Sequence, residues 1–324
     1  MITIKKISCL VILTAFLISP AFAETANGSY GFSLSPNIGI LYGHSEEIVY
    51  HFPKNDLYLS ELLWDLKPLL YAGLGADFGP LDTSTKQGFA AALSFKAGLP
   101  ARTGRIENND WFNPDPYYKT HYSLHNAYSG IAILLDVSAS YFRRFFGSLV
   151  LNVYGEFSFM HFSWSAKDGY TQYASLSYPG GPYLPWDSTL RKTPVSGEVL
   201  RYKQDWLILS PGVSLEWDIN RLFSVKTRFS YSPLIYCSDR DDHLLGNTSY
   251  FDYLYFGHYI KPGGEFILSP TQNTSISLSA SYRYITGTRG DTVQGKKLDK
   301  DSAGAGYSAL DFGLAVKFRL TGRD

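Results

Sequence analysis

A short acidic run that ends in a histidine is the feature of this sequence with the clearest chemical potential. It occupies residues 238–243 (SDRDDH), directly after an alternating segment that ends near Tyr236. Asp241 and His243 are two positions apart, so in an extended segment they share a face. A carboxylate placed there orients the imidazole and stabilises its protonated form, as in a general base with its orienting partner. The alternative is a solvated acidic loop with an incidental histidine, since one Asp-His pair is a weak signal.

A second polar cluster, Asn-Asn-Asp-Trp at residues 108–111, falls in another segment that we expect to lie at the same end of the molecule. No metal or cofactor is predicted. His121 and His125 are four residues apart but lack a helical context and a Cys or Glu partner. Cys237 borders the acidic run without a separate activating base, so we assign it a structural role.

The elements that must position these residues are predicted to be β-strands. Apolar and polar residues alternate with a period of two over 151–159, 213–218, 223–231, 276–284 and 310–318. The second and third of these segments predict a hairpin with a turn at 218–221. Longer polar stretches rich in Gly, Pro, Asp and Asn are expected to be loops, at 100–128, 165–203, 237–262 and 286–306.

Composition excludes several classes of protein. The chain has 324 residues, with 29 Lys and Arg against 29 Asp and Glu, and only 2 Cys. It is therefore not a disulfide scaffold, and it lacks the basic surplus of a nucleic-acid-binding protein. Aromatic residues make up 16% of the chain, yet mean hydropathy is only −0.11. That combination is typical of a barrel that is apolar outside and polar inside.

The N-terminus predicts export. Lys5 and Lys6 precede an apolar run over 10–18, and Ala21-Phe22-Ala23 resembles a cleavage site, so residues 1–23 are a predicted signal peptide. The mature chain, residues 24–324, is expected to be a single domain. Without Lys5 and Lys6 it has 27 basic and 29 acidic residues, a net charge of 27 − 29 = −2. No apolar stretch of helix-spanning length follows.

These features predict an all-β fold, a transmembrane antiparallel β-barrel of about ten strands in the outer membrane, with long extracellular loops and short periplasmic turns. In hydrocarbon every backbone hydrogen bond must be made within the protein, and among sheets only a closed barrel achieves this. The alternative is a soluble lipocalin-like protein or β-sandwich, which the long loops and the aromatic strands disfavour.

Several segments in the same order resemble the omptins, ten-stranded outer-membrane proteases of Gram-negative bacteria. The resemblance covers nearly the whole mature chain, and the acidic run before His243 is its most specific part. The matching segments are GILYG at 39–43, EIVY at 47–50, LSELLW at 59–64, NDW at 109–111, YKQ at 202–204, SDRDDH at 238–243 and GAGY at 304–307.

The resemblance implies an aspartic-type endopeptidase that cuts next to basic residues. In omptins an Asp-His dyad and a facing pair of aspartates hold the attacking water. Here the dyad falls on Asp241 and His243, the second facing aspartate is Asp110, and Asn108 replaces the first. An amide donates a hydrogen bond but cannot share a proton with Asp110.

The resemblance also implies an acidic pocket for the basic side chain of the substrate, formed by Glu47 and Asp239.

The partners implied are peptides or proteins with basic residues and outer-membrane lipid. Omptins bind the lipid A of lipopolysaccharide on the outer barrel face, where this chain has Phe159, His161 and Asp205, so that site is not carried over. Omptins end on an aromatic residue that the barrel-insertion machinery reads. Here Phe318 would serve in that role, although a short tail follows it.

Two other functions stay open. The replacement at Asn108 is compatible with a catalytically impaired omptin-like barrel that acts as a surface adhesin or binding protein. A small porin is a third alternative, although barrels of this size are usually filled with side chains.

Overall fold

The computed structural model describes residues 30–51, 56–80 and 85–320, so the predicted signal peptide lies outside the described residues. The described chain is all β, and none of it forms a helix long and apolar enough to cross a membrane. Fourteen strands follow one another: β1 (Tyr30–Tyr50), β2 (Tyr58–Pro80), β3 (Gln87–Gly98), β4 (Ala101–Asp110), β5 (His121–Phe145), β6 (Leu149–Tyr173), β7 (Thr193–Asp218), β8 (Phe223–Ser232), β9 (Ile235–His243), β10 (Thr248–Tyr255), β11 (His258–Leu268), β12 (Thr274–Thr286), β13 (Arg289–Gln294) and β14 (Lys297–Leu320).

The strands form one antiparallel sheet that closes on itself, because β14 pairs with β1 from Phe32↔Leu320 to Val49↔Ala303. Some consecutive strands continue in the same direction and are separated by only two residues, so we count each such pair as one ribbon of the barrel. These pairs are β3 with β4, β8 with β9, β10 with β11, and β12 with β13. The fourteen strands therefore make ten ribbons, which agrees with the predicted barrel of about ten strands.

One half of the outer surface carries a belt of exposed apolar side chains, as lipid-facing strands require. We define this half as the membrane-spanning segments. It comprises β3, β8, β11 and β12 together with residues 30–42, 70–80, 131–145, 149–159, 207–218 and 308–320. The remaining halves of the long strands, with β4, β9, β10 and β13, form a rim beyond the belt.

The barrel interior is filled. Below the rim, buried aromatic side chains stack on one another, with ring centroids 5.2 Å apart for Trp64 and Tyr202 and 5.4 Å apart for Phe162 and Tyr307. Deeper in the barrel, buried acids are ion-paired with buried bases, as in Glu156 with Lys261 at 2.7 Å.

The two ends of the barrel differ as predicted, but the loops are shorter than expected. The end away from the rim has short connections such as 146–148 and 219–222, the latter joining the predicted hairpin. Most of 100–128, 237–262 and 286–306 is strand, and in 165–203 only 174–192 lies between strands. The reason is that polar, Gly-rich segments in water still pair their backbones, while they lose the apolar alternation that marks a strand in lipid.

Candidate active site

Strand β9 carries the acidic run and directs three of its side chains into the rim. Alternate residues of a strand share a face, so Asp239, Asp241 and His243 lie on one side. Asp239 and Asp241 are buried, and His243 Nε2 lies 2.5 Å from Asp241 Oδ2. The run is therefore part of the barrel wall and not a solvated acidic loop.

Opposing effects set the protonation of His243. Burial lowers the pKa of the imidazole, whereas the hydrogen bond to Asp241 and the negative charges of Asp241 and Asp110 raise it. The net pKa of His243 lies above its ordinary value. Burial raises the pKa of Asp241, and the contact with His243 opposes that shift. We infer that the two form an ion pair at mildly acidic pH, since the short contact favours both charged forms.

A second set of polar side chains comes from β2 and β4. Ser60 pairs in register with Asp110, and its Oγ lies 2.7 Å from Asp110 Oδ1 and 3.0 Å from Asn108 Oδ1. Asn108 Nδ2 is 3.4 Å from Asp110 Oδ2. Because a hydroxyl has a single hydrogen, Ser60 donates to the stronger acceptor, the carboxylate. Asp110 thus receives hydrogen bonds from both neighbours.

The pKa of the buried Asp110 carboxyl lies above its ordinary value. Burial raises its pKa to about 6, while the hydrogen bonds from Ser60 and Asn108 and the positive charge of His243 act in the opposite direction. The charges of Asp110 and His243 thus shift each other's pKa, so the dyad and Asp110 face the same space. The structure brings together four residues predicted for the site: Asn108, Asp110, Asp241 and His243.

The two acids predicted for substrate binding lie beside the dyad. Glu47, from β1, is buried at 3% exposure and lies beside the Trp64 indole. Burial, followed by the charges of neighbouring acids that include Asp241 and Asp239, raises the pKa of Glu47 well above its ordinary value. Such a carboxyl is easily ionised only when a cation approaches.

A buried chain of hydrogen bonds fixes Asp239. Trp206 Nε1 donates to Gln204 Oε1 at 2.8 Å, Gln204 Nε2 donates to the Tyr202 hydroxyl at 3.0 Å, and that hydroxyl donates to Asp239 Oδ2 at 3.1 Å. Strand β7 supplies all three donors from one face, opposite β9. Tyr202 and Gln204 belong to a segment that contributes to the family resemblance. Their role in this structure is to hold Asp239 in place.

Comparison with known proteins identifies the family. A family profile described as Omptin family matches residues 28–320. The chain belongs to the omptin family. A comparison with curated proteins found no match.

One solved structure supports the fold of this omptin. The crystal structure of outer membrane protease OmpT from Escherichia coli is similar with a TM-score of 0.79 and 17% sequence identity, covering 90% of this chain and 98% of that one. The transport unit of the autotransporter AIDA-I from Escherichia coli, at a TM-score of 0.39, has 10% identity over 91% of each chain. Omptin family membership and the OmpT-like fold support an outer-membrane protease in general.

Sequence reasoning missed two residues of this omptin site. Ser60 bonds the facing pair, and Asp252, from β10, lies opposite Asp239 in the strand register. Ser60 belongs to a segment that carries the family resemblance, but its contact with Asp110 depends on strand register. Asp252 was not identified because residues 237–262 were predicted to be a loop, whereas Asp252 lies in strand β10.

Other predicted positions lie apart from the omptin site. On the outer face, His161 Nδ1 is 2.7 Å from Asp205 Oδ1, so these two positions, where omptins bind lipid A, pair with each other. His121 packs against Phe112 and Tyr173 at centroid distances of 4.7 and 4.5 Å. Within the described ranges no group of three or more His, Cys, Asp or Glu side chains is arranged to hold a metal ion.

Proposed function

We propose that this omptin is an endopeptidase that cleaves next to Arg or Lys through a water molecule activated by Asp241 and His243. The observation that carries the proposal is the contact of 2.5 Å between His243 and Asp241, on a wall that faces the buried Asp110. A base, its orienting carboxylate and a facing acid are the groups that hydrolysis by a bound water requires.

In the proposed reaction, neutral His243 takes a proton from water as the water attacks the scissile carbonyl. The negative charge of Asp241 stabilises the imidazolium that forms. Asp110, on the opposite side, accepts a hydrogen bond from the same water and fixes its position. The resulting tetrahedral intermediate collapses when His243 returns the proton to the leaving amine.

Asn108 has a defined part in this mechanism. One hydrogen of its Nδ2 points to Asp110 Oδ2, and the second is available to the oxygen of the scissile carbonyl. A donor aimed at developing negative charge is worth on the order of 10²- to 10³-fold in rate. The amide thus supplies a donor at all pH values, whereas a carboxyl at this position supplies one only while protonated.

Glu47 and Asp239 are the proposed binding site for the basic side chain of the substrate. Both carboxyls are buried, and neither is ion-paired with a Lys or Arg in the described part of the chain. A buried carboxylate is stable only with an opposite charge, which a guanidinium or ammonium group from the substrate supplies.

The proposal is tested with purified, refolded protein and two fluorogenic peptides that differ only at the cleavage site. One contains Arg-Arg and the other contains citrulline at both positions, which keeps the size but removes the charge. We expect cleavage of the dibasic peptide alone. Equal cleavage of both peptides, or of neither, contradicts the proposed specificity or activity respectively.

The replacement at Asn108 favours one alternative, an impaired barrel that binds peptides or surface partners without cleaving them. The discriminating result is binding of the dibasic peptide with no turnover. This alternative shares the fold, the location and the acidic pocket, so only the cleavage assay separates it from the protease.

We further propose that residues 1–23 are removed on export and that the rim faces the cell exterior. The unequal connections at the two ends of the barrel support this orientation, because outer-membrane barrels have short periplasmic turns. Substrates are then extracellular peptides or proteins. The belt of apolar side chains supports contact with outer-membrane lipid.

A further inference from the structure

Three buried acids of the rim differ from the acids deeper in the barrel, because no Lys or Arg of the described residues is paired with them. Inside the membrane-spanning part, Glu156 is paired with Lys261 and Arg228, and Asp136 is paired with Arg283. These pairs show how this barrel normally neutralises a buried acid. The three buried rim acids have no such pair within the described chain.

Three buried acids in the rim, from three different strands, have no such base. Glu47 on β1, Asp239 on β9 and Asp252 on β10 are 3%, 6% and 3% exposed. Glu47 Oε2, Asp239 Oδ1 and Asp252 Oδ1 are completely buried and receive no hydrogen bond from any donor group in the described part of the chain. Buried carboxylate oxygens that face one another without a donor indicate a place for a cation.

Asp239 and Asp252 lie directly opposite each other across the β9–β10 hairpin, so their side chains share a face of the sheet. Two buried carboxylates this close repel each other, and a proton held between them relieves that repulsion. Burial, with the charge of Asp252 next, raises the pKa of Asp239 well above its usual value. Burial raises the pKa of Asp252 to about 6.

We propose that Asp252 is a third acidic residue of the substrate pocket, and that the cationic side chain of a bound substrate displaces a proton shared by Asp252 and Asp239. The proposal rests on the proposed function, since it concerns the same pocket. A guanidinium or ammonium group donates hydrogen bonds to both carboxylates, and the displaced proton passes to solvent. Binding of the substrate is thereby coupled to deprotonation of the pocket.

The surroundings of Asp252 supply no competing cation. The other titratable groups that face the pair are Glu47 from β1, Tyr202 from β7, and Cys237 and Asp241 from β9. Strand β13 contributes the Thr292 hydroxyl, in register with Asp252, and β14 contributes Asp299, in register with Thr292 and paired with Lys297 at 2.9 Å. Apart from His243, which is paired with Asp241, these neighbours on β1, β7 and β9 are acids or neutral donors.

The first test compares KM and kcat of the parent with Asp252→Asn on the dibasic peptide between pH 5 and 8. We expect KM to rise about 10- to 100-fold, the loss of a hydrogen bond to a charged group, with little change in kcat. In the parent KM falls as pH rises, because a proton competes with the cation. In Asp252→Asn this pH dependence is flatter, since the amide donates to Asp239 and no proton is shared.

The matched control is Asp242→Asn, which removes an acid from the outer face of the same strand, where Asp242 is bonded to Arg240 at 2.8 Å. An equal KM in the two variants, or a loss confined to kcat, overturns the proposal. Parent protein that cleaves no peptide contradicts the proposed function, and the pocket is then tested by the second measurement.

The second measurement is calorimetry of arginine amide and lysine amide binding to the parent protein, in two buffers with different ionisation enthalpies. We expect binding near pH 6 with a net release of protons for at least one of the two ligands. Failure of both ligands to bind, or binding without proton release, overturns the proposal. Because neither ligand is cleaved, this result is independent of catalytic activity and of the folding of any variant.

Discussion

Ser60 and Asn108 both favour the ionised form of Asp110, and this is the feature of the site least expected from the family pattern. Each donates a hydrogen bond to the Asp110 carboxylate. Each hydrogen bond lowers the pKa of Asp110, which burial raises. The site therefore keeps a carboxylate facing the dyad without a second acid to share a proton. Ser60 acts through Asp110, so it is a positioning residue.

Replacing Ser60 tests that role. Ser60→Ala removes a donor, so the pKa of Asp110 should rise above about 6. If ionised Asp110 is required, kcat/KM at pH 6 should fall roughly tenfold and recover partly at pH 8, because a hydrogen bond to a charged group is worth that much. The control is Ser249→Ala, which loses a hydroxyl–carboxylate contact with Asp242 on the outer face. A loss that does not depend on pH would contradict the role.

The dyad makes a second prediction about pH. As a base His243 must be neutral, so activity should rise as pH rises through its pKa, which lies above the ordinary value. Asp241→Asn removes the charge that raises this pKa. We expect the acidic limb of the kcat/KM profile to move to lower pH while the maximum falls roughly 10²- to 10⁴-fold. An unmoved limb would show that another group controls the profile; Asp242→Asn serves as the control.

At the scale of strands, period-two alternation predicted the lipid-facing elements and their hairpin well. The segments at 213–218 and 223–231 are strands joined by a short turn, and 310–318 lies in β14. The rim strands were missed, because their outer faces contact water and their inner faces mix acids with apolar residues such as Ile106 and Leu254, so no regular alternation remains. Strand count was recovered from spacing, while loop length was overestimated.

Site residues were predicted where the acidic run and the family resemblance marked them, but not where strand register creates the contact. Ser60 meets Asp110, and Asp252 meets Asp239, only because particular residues of neighbouring strands lie opposite each other. A single sequence contains little information on register between strands distant along the chain. These two contacts therefore needed the structure.

The buried ion pairs that join strands across the barrel make a prediction about stability. Lys261 Nζ lies 2.7 Å from Glu156 Oε1 and 3.2 Å from Asp136 Oδ2. Lys261→Met leaves both acids short of a base, which should lower the free energy of unfolding by about 3–5 kcal/mol. The control, Lys297→Met, breaks an exposed pair with Asp299 and should cost about 0–1 kcal/mol. Urea unfolding in detergent measures both, and equal losses would contradict the prediction.

For the whole molecule, the filled interior argues against a porin and the unequal ends predict an orientation. Protease treatment of intact cells should cut within 174–192, the longest connection at the rim, and spare the turn at 219–222. The expected fragments are identified by mass spectrometry. Cleavage at 219–222 alone would place the rim in the periplasm and remove the access of extracellular peptides to the site.

We expect the rim site to catalyse peptide hydrolysis despite Asn108. The most direct measurement is kcat/KM on the Arg-Arg peptide for the parent, His243→Ala, Asn108→Asp and the control His258→Ala, which changes an exposed histidine bonded to Tyr231. We predict activity in the parent and in the control, none above background in His243→Ala, and an increase in Asn108→Asp, which restores a carboxyl pair able to share a proton. An inactive parent would contradict this prediction, and if Asn108→Asp is also no better than His243→Ala, the peptide-binding barrel remains.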